Sequence, residues 1–294
     1  TVKYSRVRQN VQYGAAVINY SLFQFLQISA GLFLFCKLEK IDLCPDSFYN
    51  KANELTATYG LSRQGRTNTM DMKKLAGDKA AEYVKDGMVV GLGTGSTAYH
   101  MVNAVGEMVK NGLKIQAIPT SKATEAQARE LGIPLLTIDE LDHVDLAIDG
   151  VDEIDPQFNA IKGGGGALYR EKVVASMAKE VIWIMDESKL VDKIGAFHLP
   201  VEIAQYGSKQ AMERMAAYGW NPVLRVRDGK TFVTDNGNFI ADLHLGAGFD
   251  IQDVYSKLTG MLGVLEHGLF LNMCKRMIVG HSNGEVQVIE NPSK

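Results

Sequence analysis

The sequence predicts an α/β protein: a Rossmann-like parallel sheet domain with a smaller inserted α+β domain. Three observations carry this. Short apolar runs recur at 88–92, 115–118, 144–148 and 181–185, and such runs suit strands buried on both faces. Stretches with helical spacing separate them, and strands alternating with helices imply a parallel sheet. After Pro200 the rhythm changes to residues alternating around Asn236-Gly237, a hairpin signal.

In chain order, a helix is predicted over 71–85, where Met72, Leu75, Ala76, Ala80, Tyr83 and Val84 recur at helical spacing. The first strand follows at 88–92, then a glycine turn and a helix over 96–109. The next strand ends at Pro119 and leads into a helix over 122–131. The strands at 144–148 and 181–185 flank a helix that carries Glu171. Beyond Pro200 the reading is a hairpin of 231–234 with 238–243, a helix over 252–262, and a return through Met277-Ile278-Val279. These elements place the Rossmann-like domain at 70–199 and 272–294, and the small α+β domain at 200–271.

Residues 1–69 read differently, as an N-terminal extension. Lys3, Arg6 and Arg8 precede an uncharged stretch over 11–36, which Asn19, Gln24 and Gln27 interrupt. That order resembles a targeting leader, followed by a polar linker; the alternatives are a gene-model or expression artefact and an ordered functional segment. The polar interruptions make it a poor membrane span, so no stable span is expected in the mature protein. A cytoplasmic location is expected without a functional leader, and an organelle with one.

Composition narrows the function. The 294 residues are 46% hydrophobic and 22% charged, as in an ordinary globular protein. A net charge of -3 offers no basic stripe for a nucleic acid. Cys36, Cys44 and Cys274 are too few and too scattered for a disulfide framework. The six histidines lack zinc-ligand spacing, so no metal is implied.

The chemistry-bearing residues cluster. Asp149-Gly150-Val151-Asp152-Glu153 is followed by Lys162-Gly163-Gly164-Gly165-Gly166 and then by Glu171. Buried charges are costly unless paired, and glycine runs weaken regular elements, so a core has no use for this combination. A site acting on a small anionic carbonyl compound does. Carboxylates move protons, a lysine offsets developing negative charge, and glycines let backbone N–H groups approach a ligand. Taken singly, the aspartates could be turn residues and Glu171 a solvated helix residue.

A second cluster, Gly91-Leu92-Gly93-Thr94-Gly95-Ser96-Thr97-Ala98, lies between the first strand and its helix. Free N–H groups at such a helix start bind anions. The spacing fits a dinucleotide fingerprint, which keeps a nicotinamide enzyme as a rival. That fingerprint also wants an acidic residue at the end of the second strand. Here Pro119-Thr120-Ser121-Lys122 stands there instead, suited to a phosphate or polar sugar. No Gly-Lys-Ser/Thr closes the loop, which excludes a Walker P-loop.

From about residue 70 to 290 the chain resembles the type A ribose-5-phosphate isomerase family. The likeness rests on the two clusters above together with Pro119 to Thr124, Asp186-Glu187-Ser188-Lys189 and Val233-Thr234-Asp235-Asn236, all in family order. The resemblance implies interconversion of ribose 5-phosphate and ribulose 5-phosphate through an enediolate, with no redox cofactor. It implies Glu171 as the proton carrier and Lys162, with the N–H groups of Gly163, Gly164 and Gly165, as oxyanion donors. Asp149 would open the ring and shuttle protons, and Asp152, with Gly150 and Val151 beside it, would position Asp149 or a sugar hydroxyl. Thr94, Gly95, Ser96 and Thr97 would hold the ligand, with Lys189, Ser121, Lys122 and Lys73 as further partners. A homo-oligomer, dimer or tetramer, is implied as well. A sugar-phosphate sensor on a related fold remains the alternative; it would have no need of both Lys162 and Glu171.

Overall fold

The computed structural model describes residues 71–294; the extension expected over 1–69 lies outside them. Asp71 caps the first helix, α1 (Met72–Ala81), its carboxylate accepting from the N–H groups of Lys73 at 3.1 Å and Lys74 at 3.3 Å. Then come β1 (Val89–Leu92), α2 (Ser96–Lys110), β2 (Gln116–Pro119), α3 (Lys122–Glu130) and β3 (Val144–Gly150). Two short strands, β4 (Glu153–Ile154) and β5 (Ala160–Ile161), precede α4 (Leu168–Met177) and β6 (Ala178–Asp186). The segment after Pro200 was expected to be small and mixed. It contains β7 (Leu199–Ile203), α5 (Ser208–Ala217), β8 (Pro222–Leu224), β9 (Val226–Arg227), β10 (Lys230–Thr231), β11 (Phe239–Leu243), α6 (Ile251–Thr259) and β12 (Val264–His267). Strands β13 (Leu269–Phe270), β14 (Arg276–Gly280) and β15 (Val286–Glu290) complete the chain.

The main sheet has the order β15-β14-β6-β3-β1-β2, parallel except for the antiparallel edge strand β15. Both faces are covered, as the apolar runs require. Ile182 and Ile184 pack with α1 and α2 residues such as Ala76 and Val102, while Val181, Trp183 and Met185 pack with Val174 and Ala175 of α4. Successive side chains of a strand point to opposite faces, so an unbroken apolar run fills two cores at once. Among the described residues, no helix is long and apolar enough to cross a membrane.

Strand β1 lies between β2 and β3, and each is parallel to it. The chain therefore leaves β1 to one side and later returns on the other. That reversal of strand order opens a crevice beyond the carboxyl ends of β1 and β3, where ligands of such sheets bind.

The hairpin expected across Asn236-Gly237 is corrected. Strand β11 pairs with β7 and β8, not with 231–234. The two-residue hairpin is instead β9–β10, turned at Asp228-Gly229, whose φ angles of 52° and 73° are both positive. Such angles match the twist of a tight hairpin. Asn236-Gly237 does make a turn, closed by Gly237 N–H to Thr234 O at 2.9 Å. Across the turn Thr234 N–H still meets Asn238 O at 2.8 Å, but the pairing goes no further, because Thr231 is paired with Val226 of β9 and β11 is already flanked by β7 and β8.

Candidate active site

The loop after β1 and the loop after β3 meet through Asp149. Its Oδ1 accepts the N–H groups of Thr94 at 2.9 Å and Gly150 at 2.7 Å. Gly93 allows this approach: a Cβ there would lie 2.5 Å from the Asp149 Cα. Gly93→Ala is accordingly expected to cost about 1–3 kcal/mol through overpacking. Denaturant unfolding would check it, and unchanged stability would mean the two loops are not locked together.

Lys162 is the centre of the charge cluster. It is 2% exposed, with Nζ 3.0 Å from Asp149 Oδ2 and 3.3 Å from Glu171 Oε2, and it donates to the Gly150 carbonyl. The ammonium also sits 5.1 Å from the Trp183 ring centroid and 5.3 Å from that of Phe270. Such ring faces attract a cation. Burial pulls its pKa down, but Asp149 and Glu171 more than offset this, and the net shift is upward. The lysine is held charged.

Glu171 faces inward because α4 buries Leu168, Glu171, Val174 and Ala175 on one side. Its Oε2 is enclosed and accepts no hydrogen bond. Burial, only partly opposed by Lys162 and reinforced by Asp149 and Asp152, pushes its pKa up to about 8. Burial pushes Asp149 upward too, against the nearby ammonium and its two N–H donors. Two carboxylates share one lysine, and Glu171 has no backbone donor.

A cavity of about 130 Å³ lies over this cluster. It brings together most of the residues expected from the sequence. Thr94, Gly95, Ser96 and Thr97 line one side, and Gly150, Val151 and Asp152 another. Lys162, Gly163, Gly164, Gly165 and Glu171 form the inner wall, with Lys73 and Lys189 at the margin. Gly95 has φ 111° and leaves the start of α2 without a side-chain cap, so the first-turn N–H groups are available to an anion. Lys73 Nζ donates to Ser96 Oγ at 2.9 Å, which fixes a cation beside them.

Three expectations need correction. Ser121 does not line the cavity; it is buried and caps α3, accepting from Thr124 N–H at 3.1 Å and from Thr94 Oγ1 at 2.9 Å. Lys122 does not line it either: its side chain is exposed, and its N–H goes to Asp235 at 2.7 Å. The Gly164 N–H is taken by Asp152 Oδ2 at 2.8 Å, so it orients a carboxylate instead of facing a ligand. Sequence reasoning missed Arg225, a buried cation that donates to the carbonyls of Gly163 at 2.9 Å and Gly164 at 3.1 Å.

A crevice at the turning point of a parallel sheet, a helix start open to an anion and a buried acid–base cluster define an α/β enzyme acting on a small phosphorylated compound. The chain belongs to the ribose 5-phosphate isomerase A (phosphoriboisomerase A) family, whose pattern matches residues 116–284. It is 54% identical over 221 residues to ribose-5-phosphate isomerase A of Streptococcus gordonii, covering 75% of this chain and 98% of that protein. A D-ribose-5-phosphate isomerase solved with phospho-erythronic acid is 37% identical, with TM-score 0.72 over 76% of this chain and all of the other. The Plasmodium falciparum enzyme is 39% identical, with TM-score 0.70 over 75% and 98% of the two chains.

Proposed function

We propose that this protein interconverts D-ribose 5-phosphate and D-ribulose 5-phosphate, with Glu171 carrying the proton between C2 and C1. The observation that carries the assignment of the base is Glu171 Oε2, enclosed at the cavity wall without a hydrogen bond and 3.3 Å from the buried Lys162 ammonium. The phosphate sits at the start of α2, between Lys73 and Lys189, where the N–H groups of Ser96 and Thr97 and two cations favour it. The sugar carbon chain then runs inward toward Glu171.

In the open-chain aldose, Glu171 removes the C2 proton and the electron pair moves onto the C1 carbonyl, giving an enediolate. Lys162 and the Gly165 N–H stabilise the oxygen that gains charge. Asp149, 3.0 Å from Lys162, moves the hydroxyl proton from O2 to O1 and assists ring opening beforehand. Glu171 returns its proton to C1, so hydrogen is redistributed with no net gain or loss of electrons. Asp152, fixed by Gly164, positions a sugar hydroxyl. Assembly into a homo-oligomer through 200–271 belongs to the same reading, supported by the exposed Val223, Val226 and Leu262 of that segment. So does a cytoplasmic location, supported by the sparse cysteines.

The test is the pH dependence of ribose 5-phosphate turnover. The base must be ionised, so kcat/KM is expected to climb as pH rises through about 8 and then level off. The second ionisation of a phosphate falls near 6 and is complete before that climb. A profile flat through the alkaline range would remove Glu171 as the base, and absence of turnover would remove the function.

A further inference from the structure

The glycine run is gripped from the small sheet. Arg225, which follows β8, is buried, and Asp242 of β11 holds its guanidinium through Nε–Oδ2 at 2.9 Å and Nη2–Oδ1 at 2.5 Å. The remaining arm, Nη1, reaches the carbonyls of both Gly163 and Gly164, at 2.9 and 3.1 Å. A buried arginine whose other two nitrogens are bound to one carboxylate cannot swing, so its third nitrogen is a fixed point. The carbonyls it holds are fixed with it.

The consequence follows from the peptide plane. No cis peptide occurs among the described residues, and in a planar trans peptide the N–H points opposite to the preceding carbonyl. The Gly163–Gly164 peptide illustrates this: its carbonyl goes to Arg225, and its N–H goes the other way to Asp152 at 2.8 Å. The next peptide repeats the pattern. Its carbonyl goes to Arg225, and its N–H, that of Gly165, leads away on the far side. Gly165 lines the cavity, and among the described residues its N–H donates to no protein acceptor.

We infer that Arg225, locked by Asp242, is a positioning residue for the isomerisation: it turns the Gly163–Gly165 peptides so that the Gly165 N–H faces the oxygen on which charge develops. This rests on the reading of the cavity under Proposed function. It gives the 200–271 segment a part in catalysis with no side chain of that segment touching the sugar. A second effect acts in the same direction. The guanidinium charge on the Gly164 carbonyl polarises that peptide and makes its N–H a stronger donor.

A donor of this kind matters more to the enediolate than to the bound substrate, so its loss reads out in kcat more than in KM. Arg225→Lys keeps a charge but cannot hold two carbonyls and a carboxylate together. It is expected to lower kcat on the order of a hundredfold, with KM for ribose 5-phosphate within about threefold of wild type. Asp242→Asn, which loosens the arginine without removing it, should show the same pattern at about a tenfold loss. Affinity for phospho-erythronic acid, whose carboxylate imitates the charged oxygen, should fall with kcat in both, while affinity for inorganic phosphate stays unchanged.

A folded Arg225→Lys protein with wild-type kcat would overturn the inference. So would a change in which kcat and phosphate affinity fall while KM rises in parallel, since that is the signature of a merely structural arginine. If neither variant folds, the wild-type protein decides. Its Gly165 amide proton resonance should shift on adding phospho-erythronic acid and stay in place with inorganic phosphate; an amide that ignores the acid overturns the proposal. Wild-type turnover of ribose 5-phosphate and its loss in Glu171→Gln are measured alongside. If those hold while the Arg225 results fail, only the positioning role falls.

Discussion

A Glu171→Gln enzyme is expected to lose on the order of a thousandfold in kcat while keeping its fold and its affinity for ribose 5-phosphate. The amide has the same shape, but it offers no lone pair basic enough to take a proton from carbon. Burial is what makes the carboxylate strong. With a pKa raised to about 8, its ionised form is a far better base than an exposed glutamate. Stability supplies a second readout. The folded protein holds this proton well above the pH at which the unfolded chain releases it. Stability from this group is therefore complete below the ordinary glutamate pKa and declines as pH rises toward about 8. The variant should lack that decline. Steady-state kinetics with isothermal binding, and unfolding at several pH values, would check both. If the variant turned over like its parent, the proton would have to travel by Asp149, the other buried carboxylate beside Lys162.

Much of this arrangement is legible in the sequence, for physical reasons. The strands β1, β2, β3 and β6 announce themselves because a parallel sheet buried on both faces demands unbroken apolar runs. The loops at their ends then collect the glycines and carboxylates. Glu171 could have been placed from the sequence more firmly than the cluster alone allowed, because Leu168, Val174 and Ala175 sit three and four positions from it, the spacing of one helix face. The hairpin was misjudged because Asn-Gly is a turn signal indifferent to what flanks it. Here that turn serves Thr234, Glu202 and Arg170, whose Nε donates to Asn236 at 2.8 Å. Arg225 was invisible for a different reason. Its value depends on Asp242, seventeen positions away along the chain, and on a glycine run some sixty positions back. Strand pairing between β8 and β11 sets Arg225 beside Asp242, and the glycine run meets the pair only in the folded chain. Lys122 illustrates the converse: a cation at the correct strand end, turned outward when its neighbour Ser121 became the helix cap.

The buried lysine should produce the largest combined effect. Lys162→Met keeps length and bulk but leaves Asp149 and Glu171 in a closed site with no cation. Removing one partner of a buried charged cluster destabilises by about 3–5 kcal/mol, and removing an oxyanion donor lowers kcat about a hundredfold or more. The two losses have different origins and can be separated. Adding Asp149→Asn to Lys162→Met removes one of the stranded carboxylates. Much of the stability should return, since Glu171 keeps its proton in the closed site and the other stranded carboxylate is gone. Activity should not, because neither the ammonium nor the second proton carrier is restored. The single variant carries one further sign. Lys162 holds the Glu171 pKa down against burial, so without the lysine the carboxyl should hold its proton to still higher pH. The remaining activity of Lys162→Met is then expected to rise with pH beyond the point where the parent has levelled off. Chemical unfolding and a pH–rate series on the two variants would test this. A double variant that regains stability and activity together would show that Lys162 serves only to neutralise Asp149, and its role at the developing oxyanion would have to be given up.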